Sequence, residues 1–220
     1  MMPDPMPVEP VTLQGRAARL EPMTREHPPA LCEVGLDAEI WRWYAQAIRT
    51  PGEMAAAVET ALKEQAQGVT LPFVTFETAS GRVVGSTRYL NIDRTHHRLE
   101  IGWTWLARPW RRTAINTEAK YLLLRHAFET LRCIRVELKT DSLNEPSRTA
   151  ILRIGGREEG TFRNHMITES GRLRHSVYYS IIEAEWPAVK ARLERLLGAH
   201  GTTAPDGHDN SSRSAESTAQ

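Results

Sequence analysis

Apolar positions along the chain recur with two periods, near two and near three and a half, and their order predicts the elements. Leu13 to Leu20 reads as a first strand. Glu26 to Tyr44 reads as a helical region broken at Gly35, with Leu36, Ile40, Trp41 and Tyr44 on one face. Pro51 marks a helix start, and Met54, Ala57, Val58 and Leu62 then follow at helical spacing. Leu71 to Phe76 and Val83 to Leu90 predict a hairpin around Ala79-Ser80-Gly81. In the next strand, His97 to Leu106, the residues Leu99, Ile101, Trp103 and Trp105 alternate with Arg98, Glu100, Gly102 and Thr104. A helix is predicted over Asn116 to Leu131. A strand from Cys133 to Lys139 follows, with Ile134, Val136 and Leu138 on one face. Glu145 to Ile154 is a short helix stopped by Gly155-Gly156. Glu158 to His165 and Arg174 to Ile182 form a second hairpin around Glu169-Ser170-Gly171, and Trp186 to Leu197 closes the chain as an amphipathic helix. This order predicts a single α/β domain over 11–198, a mixed central sheet with helices on both faces. A flexible, Pro-rich segment over 1–10 and a disordered tail over 199–220, rich in Ser, Thr, Gly and Ala, are expected to flank it.

Composition narrows the function mainly by exclusion. A chain of 220 residues with 40% hydrophobic residues can bury one good core. Its 28 basic and 27 acidic side chains nearly cancel, so no nucleic-acid partner is expected from charge. No apolar run reaches spanning length and Met1-Met2-Pro3-Asp4-Pro5 lacks the pattern of a signal peptide, so no membrane is expected and a cytoplasmic location is. Cys32 and Cys133 are too few for a disulfide framework or metal cluster, and Cys133 is expected in the core. His96 and His97 are adjacent rather than at chelating spacing, and no metal is inferred.

One stretch carries chemistry. Arg108-Pro109-Trp110-Arg111-Arg112-Thr113-Ala114-Ile115-Asn116-Thr117-Glu118-Ala119 turns from a strand into a long helix, with arginines and small residues at the junction. A helix start offers unpaired N–H groups and the positive end of the peptide dipoles, a ready anion site. Thr113 or Thr117 is expected as the helix cap.

The second block sharpens this. Asn144-Glu145-Pro146-Ser147, then Ile151-Leu152, Gly155 and Glu158-Glu159-Gly160, follow at a fixed distance. Together the two blocks resemble the GCN5-related N-acetyltransferases, in the branch of the ribosomal-protein N-terminal alanine and serine acetyltransferases. The resemblance implies the acyl-CoA N-acyltransferase fold and acetyl-CoA as acetyl donor. It places the CoA pyrophosphate on the turn, at Leu106, Arg108, Arg111, Arg112, Thr113, Ala114, Asn116 and Thr117, with Asn144 near pantetheine. The family's three small positions, mostly glycine, are here Arg112, Ala114 and Asn116. Arg112 is therefore either a compensating phosphate ligand or the sign of an altered cofactor site.

The same resemblance implies direct attack of an amine on the thioester, which needs few side chains. Glu100 is the candidate base, against a solvent-facing partner of Arg98. Ser147 is placed near the leaving sulfur or in the first turn of its helix. Many family members carry a tyrosine acid four residues beyond that serine; this chain has Ile151, so Tyr178 is the candidate substitute, with Tyr179 behind it. Trp41, Trp43, Tyr44 and His165 are the candidate acceptor-binding residues. Such an aromatic wall suits a peptide N-terminus or an amphipathic small amine better than a polyanion, and a highly cationic acceptor would find only the scattered acids Glu26, Glu33, Asp37 and Glu39. A non-catalytic acyl-CoA-binding module of the same fold is the competing reading. A homodimer through exposed strand edges is compatible with either.

Overall fold

A computed structural model describes residues 6–201. Eight strands make one mixed sheet in the order β1-β2-β3-β4-β5-β6-β8-β7. They are β1 Leu13–Gln14, β2 Ala18–Pro22, β3 Leu71–Glu77, β4 Val83–Asp93, β5 Arg98–Leu106, β6 Arg135–Asp141, β7 Arg157–Ile167 and β8 Leu173–Ile182. Neighbours are antiparallel except β5 and β6. The helices are α1 Pro28–Gly35, α2 Ala38–Trp41, α3 Pro51–Ala66, α4 Ala114–Arg125, α5 Glu145–Ile154 and α6 Trp186–Gly201.

Two cores sandwich the sheet. One joins Leu99, Ile101, Val136, Leu138, Val177 and Tyr179 to α4, α5 and α6. The other packs Val74, Val83 and Trp105 against α1, α2 and α3 through Leu31, Trp41, Met54 and Val58. This is the mixed sheet with helices on both faces that the periodicity predicts. The packed region starts earlier than residue 11, because Met6 and Val8 are buried, Met6 against the Cys133 thiol. Burial pushes that thiol up to about 12, as befits a core cysteine. The last helix runs to Gly201, past the expected boundary at 199. Residues 1–5 and 202–220, which hold the rest of both expected terminal segments, lie outside the described residues.

Local signals explain most element starts. Thr50 and Glu53 make a reciprocal capping box ahead of Pro51, worth about 1 kcal/mol at the start of α3. Asn144 caps α5, and Gly155 ends it in the left-handed region at φ 104°. The first predicted strand is two, because the chain reverses between Gln14 and Ala18. The long predicted helix ends its α-helical part at Arg125 and continues as a π-turn over His126–Thr130. There the His126 ring stacks on Tyr89, 6.0 Å between centroids. Ile134 precedes β6 and is exposed rather than sharing the face of Val136 and Leu138.

Candidate active site

β5 holds the first correction to the alternation. Arg88 pairs with Gly102 and Ser86 with Trp105, so Trp103 and Thr104 together oppose Thr87. That is a β-bulge, and Trp103 adopts φ 48° to make it. One inserted residue reverses the face of everything beyond it. Leu99 and Ile101 therefore join the core beneath α4, whereas Trp103 and Trp105 belong to the core beneath α1–α3. The expected single apolar face is split.

The second irregularity opens the sheet. β5 and β6 pair only at Arg98–Arg135, Leu99–Val136 and Glu100–Glu137. Beyond Glu100, β5 stays with β4 and β6 stays with β8. The two strands diverge and leave free backbone edges inside the sheet, suited to an extended ligand bearing amides. Glu100 stands at the apex of this opening.

Glu100 is buried, 1% exposed, and does not pair with Arg98. Its Oε2 receives Asn91 Nδ2 at 2.9 Å and lies 3.0 Å from Lys139 Nζ. Arg98 is engaged by Asp93 and Glu137 instead. Oε1 lies against Gly102, where a Cβ would come within 2.8 Å of it, so that position must be glycine for the carboxylate to sit there. Neither Asn91 nor Lys139 was singled out by sequence. Both belong to alternating strands whose polar residues read as solvent-facing.

Strand alternation puts Lys139 and Tyr178 on the same side as Glu100, opposite the core residues Leu138 and Tyr179. Lys139 Nζ lies 5.6 Å from the Tyr178 ring centre. Tyr178 packs on Phe162 and His165, at 4.4 and 5.7 Å between centroids. His165 Nδ1 is 3.0 Å from Ser176 Oγ. Partial burial, then the charges of Lys139 and Arg174, lower its pKa. Tyr179 is the core member of the tyrosine pair, its hydroxyl 3.2 Å from Arg148 Nε.

The loop after α2 walls this floor. Tyr44 donates from its hydroxyl to the Thr104 carbonyl at 2.6 Å, on the bulge itself. Its ring meets Trp103, and burial raises its pKa well above the ordinary phenol value. The Trp43 carbonyl accepts from Arg174 Nη1 at 3.2 Å. Arg49 and Glu169 tie the same loop to the β7–β8 turn at 2.7 Å. Trp41 does not belong to the wall. It is 2% exposed, donates to the Gly35 carbonyl and packs on Trp105, a core position that removes it from acceptor contact.

At the far end of β5, a short 3-10 turn over Arg108–Trp110 leads into α4. Thr113 is the cap, accepting from the Ile115 amide at 3.3 Å, so Ala114, not Asn116, is the first helical residue. Arg112 takes φ 63°, the left-handed conformation a glycine would adopt at little cost. The turn survives the loss of that glycine, at a strain of roughly 1–2 kcal/mol. Arg108 pairs with Asp37 at 3.1 Å, and Arg111 Nε donates to the Leu106 carbonyl at 3.0 Å. Arg112 is exposed and forms no ion pair among the described residues.

Thr117 is not part of this surface. It is fully buried and accepts from Arg153 Nη2 at 2.7 Å, which ties α4 to α5. Its neighbour Glu118 is also structural. Its carboxylate receives the amides of Arg16, Ala17 and Ala18 at 3.0, 2.5 and 2.7 Å, locking the β1–β2 reversal onto α4. A side chain on Gly15 would collide with it at 2.4 Å. Asn144 Oδ1 accepts from the Ser147 amide at 3.2 Å, so Asn144 acts as a cap and Ser147 sits in the first turn of α5, partly exposed.

One buried cation lies beneath the bulge. Lys120 on α4 reaches Thr104 Oγ1 at 2.6 Å, and Thr104 Oγ1 is 2.7 Å from Thr87 Oγ1. Desolvation lowers the Lys120 pKa to about 7.

Among the described residues no helix is long and apolar enough to cross a membrane. Residues 18–157 match the family model described as an acetyltransferase (GNAT) domain. A Bacillus subtilis (strain 168) protein named as a ribosomal N-acetyltransferase, YdaF, is 34% identical over 110 residues, 50% of this chain and 59% of its own length. The chain thus matches somewhat over half of that relative. The structure of a GCN5-related N-acetyltransferase from Brucella melitensis is 30% identical, with TM-score 0.82, covering 96% of this chain and 92% of that one. Mycobacterium smegmatis RimJ in complex with CoA-disulfide shares the fold at 23% identity, with TM-score 0.72, covering 85% and 93% of the two chains. The bulged β5, the parting of β5 from β6 and the capped turn into α4 all lie within the residues that match the family model, and the chain belongs to the GNAT family of acetyltransferases.

Proposed function

We propose that the protein moves the acetyl group of acetyl-CoA to a primary amine by direct attack. The acceptor is a peptide N-terminus or a small amine. The observation that carries this reading is the opening between β5 and β6 with a buried carboxylate at its apex. The names of YdaF and RimJ, and the CoA-disulfide in the RimJ complex, support the donor and a protein-type acceptor.

The thioester supplies an activated acetyl group, so the protein's work is positioning and proton transfer. The free strand edges offer backbone groups to the amides of pantetheine. The α4 N-terminus, with Arg111 and Arg112 beside it, presents positive potential to the pyrophosphate. Thr113, Ala114 and Asn116 keep that turn small, and Leu106 and Arg108 hold its approach from β5. Glu100 takes a proton from the acceptor's ammonium, directly or through water, so that the neutral amine attacks the thioester; Oε2 is anchored by Asn91 and Lys139 and Oε1 is turned to Gly102. Tyr178 or Ser147 is then the proton donor to the departing thiolate. Tyr178 shares the floor with Lys139, whereas Ser147 sits in the first turn of α5.

Thermal stabilisation by acetyl-CoA, followed by thiol release with an amine panel, tests the reading. Stabilisation with turnover on at least one amine supports it. Stabilisation without turnover on any amine favours the non-catalytic module, and no stabilisation removes the donor assignment.

A further inference from the structure

Two arginines stand out for what they do not bond. Arg88 on β4 is 7% exposed, and its side chain makes no hydrogen bond among the described residues. Its one ion-pair partner among those residues, Glu64, stands 3.8 Å from Nη1 with its side chain 41% exposed, too far for a hydrogen bond. Arg174 on β8 is 9% exposed and makes a single side-chain hydrogen bond, to the Trp43 carbonyl. The Nε of each is buried and unpaired. A guanidinium carries five donors, and buried charges are ordinarily paired.

The acids nearby are already committed. Asp141, the first charge acting on Arg174, is bonded to Arg172 at 2.5 Å. Glu100 is held by Lys139. Arg88 lies against Trp103, whose ring meets Tyr44 at 5.5 Å, and Arg174 bonds the carbonyl of Trp43, so both guanidinium groups border the Trp43–Tyr44 stretch beside the bulge. Arg88 lies 4.8 Å from the Trp103 ring centre, which fixes its plane against an aromatic wall. This region adjoins the Glu100 floor, on the side of the sheet away from α4.

Resting on the acetyl-transfer reading, we propose that the acceptor is an amine that also carries a carboxylate, and that Arg88 and Arg174 bind that carboxylate. An arginine pair with unspent donors matches a carboxylate in charge and in bidentate geometry. The same field disfavours the protonated amine and so presents the neutral nucleophile to the thioester. Two sources share this chemistry: a peptide N-terminus with an acidic residue next to it, and a free amino acid.

The test compares matched pairs on the full chain. Peptides with Asp or Glu at the second position are set against Asn or Gln, and free amino acids against their amides, with thiol release from acetyl-CoA as readout. The charged member of one set is expected to win by at least about tenfold in kcat/KM, and the winning set identifies the source. In Arg88→Gln and Arg174→Gln that ratio is expected to fall toward one, with partial recovery in Arg174→Lys. If either glutamine variant fails to fold, Arg88→Lys and Arg174→Lys keep the charge, lose the fork and still narrow the ratio. A wild-type ratio near one in both sets, or a ratio unmoved by the substitutions, overturns the proposal. If no amine turns over, the same pairs are titrated calorimetrically onto the protein saturated with CoA. Tighter binding of the charged members then upholds the carboxylate site while the transfer reading fails; equal binding overturns the site as well.

Discussion

Two groups of arginines frame the opening in the sheet, and they behave in opposite ways. Arg108, Arg111 and Arg112 lie on an exposed turn, close together in sequence, and two of them already have partners in Asp37 and the Leu106 carbonyl. Arg88 and Arg174 are 86 positions apart and buried, and each keeps a buried, unpaired Nε. A solvated arginine costs little and selects little, because water competes for it and salt screens it. A desolvated one is costly unless a matching anion arrives, and that cost becomes discrimination. On the proposed reading the turn attracts a highly charged donor, and the buried pair chooses among acceptors.

Removing the carboxylate between the two regions breaks the comparison most severely. Glu100→Gln keeps the shape and the Asn91 contact, and is expected to lower kcat/KM by about a hundredfold or more, in the range of a lost general base. The thiol-release assay across pH checks it; a rate within about threefold of wild type at every pH removes Glu100 from proton transfer. Glu118 is the contrasting carboxylate, with three amides and no proton to move. Glu118→Ala is expected to cost about 3–5 kcal/mol of stability, because three amides, one buried and two partly buried, lose a charged acceptor. Its signature is a lowered urea midpoint; a midpoint unchanged from wild type shows that the β1–β2 reversal does not depend on the carboxylate.

These residues also show what sequence can and cannot convey. The turn and the Asn144–Ser147 block are legible because capping residues, small residues and glycine stops are local chemistry. The order of strands and helices follows from periodicity for the same reason. The bulge at Trp103 is not legible: Leu99, Ile101, Trp103 and Trp105 alternate without a break, and the extra residue exists only relative to β4. That one register change moves two tryptophans to the opposite core, whereas Glu100, which precedes it, is held by Asn91 and Lys139 of the neighbouring strands. Thr117 and Trp41 are polar or amphipathic residues that read as ligands until Arg153 and the Gly35 carbonyl claim them. Arg88 and Arg174 pass unnoticed because a lone arginine in a strand looks like its solvated face. Only the packing of β4 and β8 against the loop after α2 shows otherwise.

Lys120 tests the side of the bulge that faces α4. Its lowered pKa, about 7 against 10.5 for the ordinary side chain, means that the unfolded chain binds more protons throughout that window. Stability therefore rises with pH from about 7 toward 10.5 as the burial penalty on the ammonium is relieved. Lys120→Met is expected to stabilise the protein at pH 6 by roughly 1–3 kcal/mol and to flatten that rise. Urea midpoints at pH 6 and pH 9 measure both effects. A rise that persists unchanged in the variant assigns it to another group.

Arg112 is the finest test of how the exposed turn differs from the buried pair. Its backbone already occupies the seat of a glycine at φ 63°, so Arg112→Gly changes the side chain while leaving the turn's shape available. Removing the left-handed strain is expected to raise stability by up to about 1 kcal/mol, offset in part by the entropy of the unfolded glycine. If the guanidinium reaches the pyrophosphate, acetyl-CoA affinity falls about three- to tenfold, the worth of one exposed charge-assisted contact. Arg112→Ala separates the two contributions, since it loses the charge and keeps the strain. Calorimetric titration of acetyl-CoA into the three proteins reads the result. Affinity lost equally in both variants assigns Arg112 to phosphate binding by its side chain. Affinity kept in the glycine variant shows that only the backbone of the turn meets the donor, and then the exposed arginines contribute charge without contact.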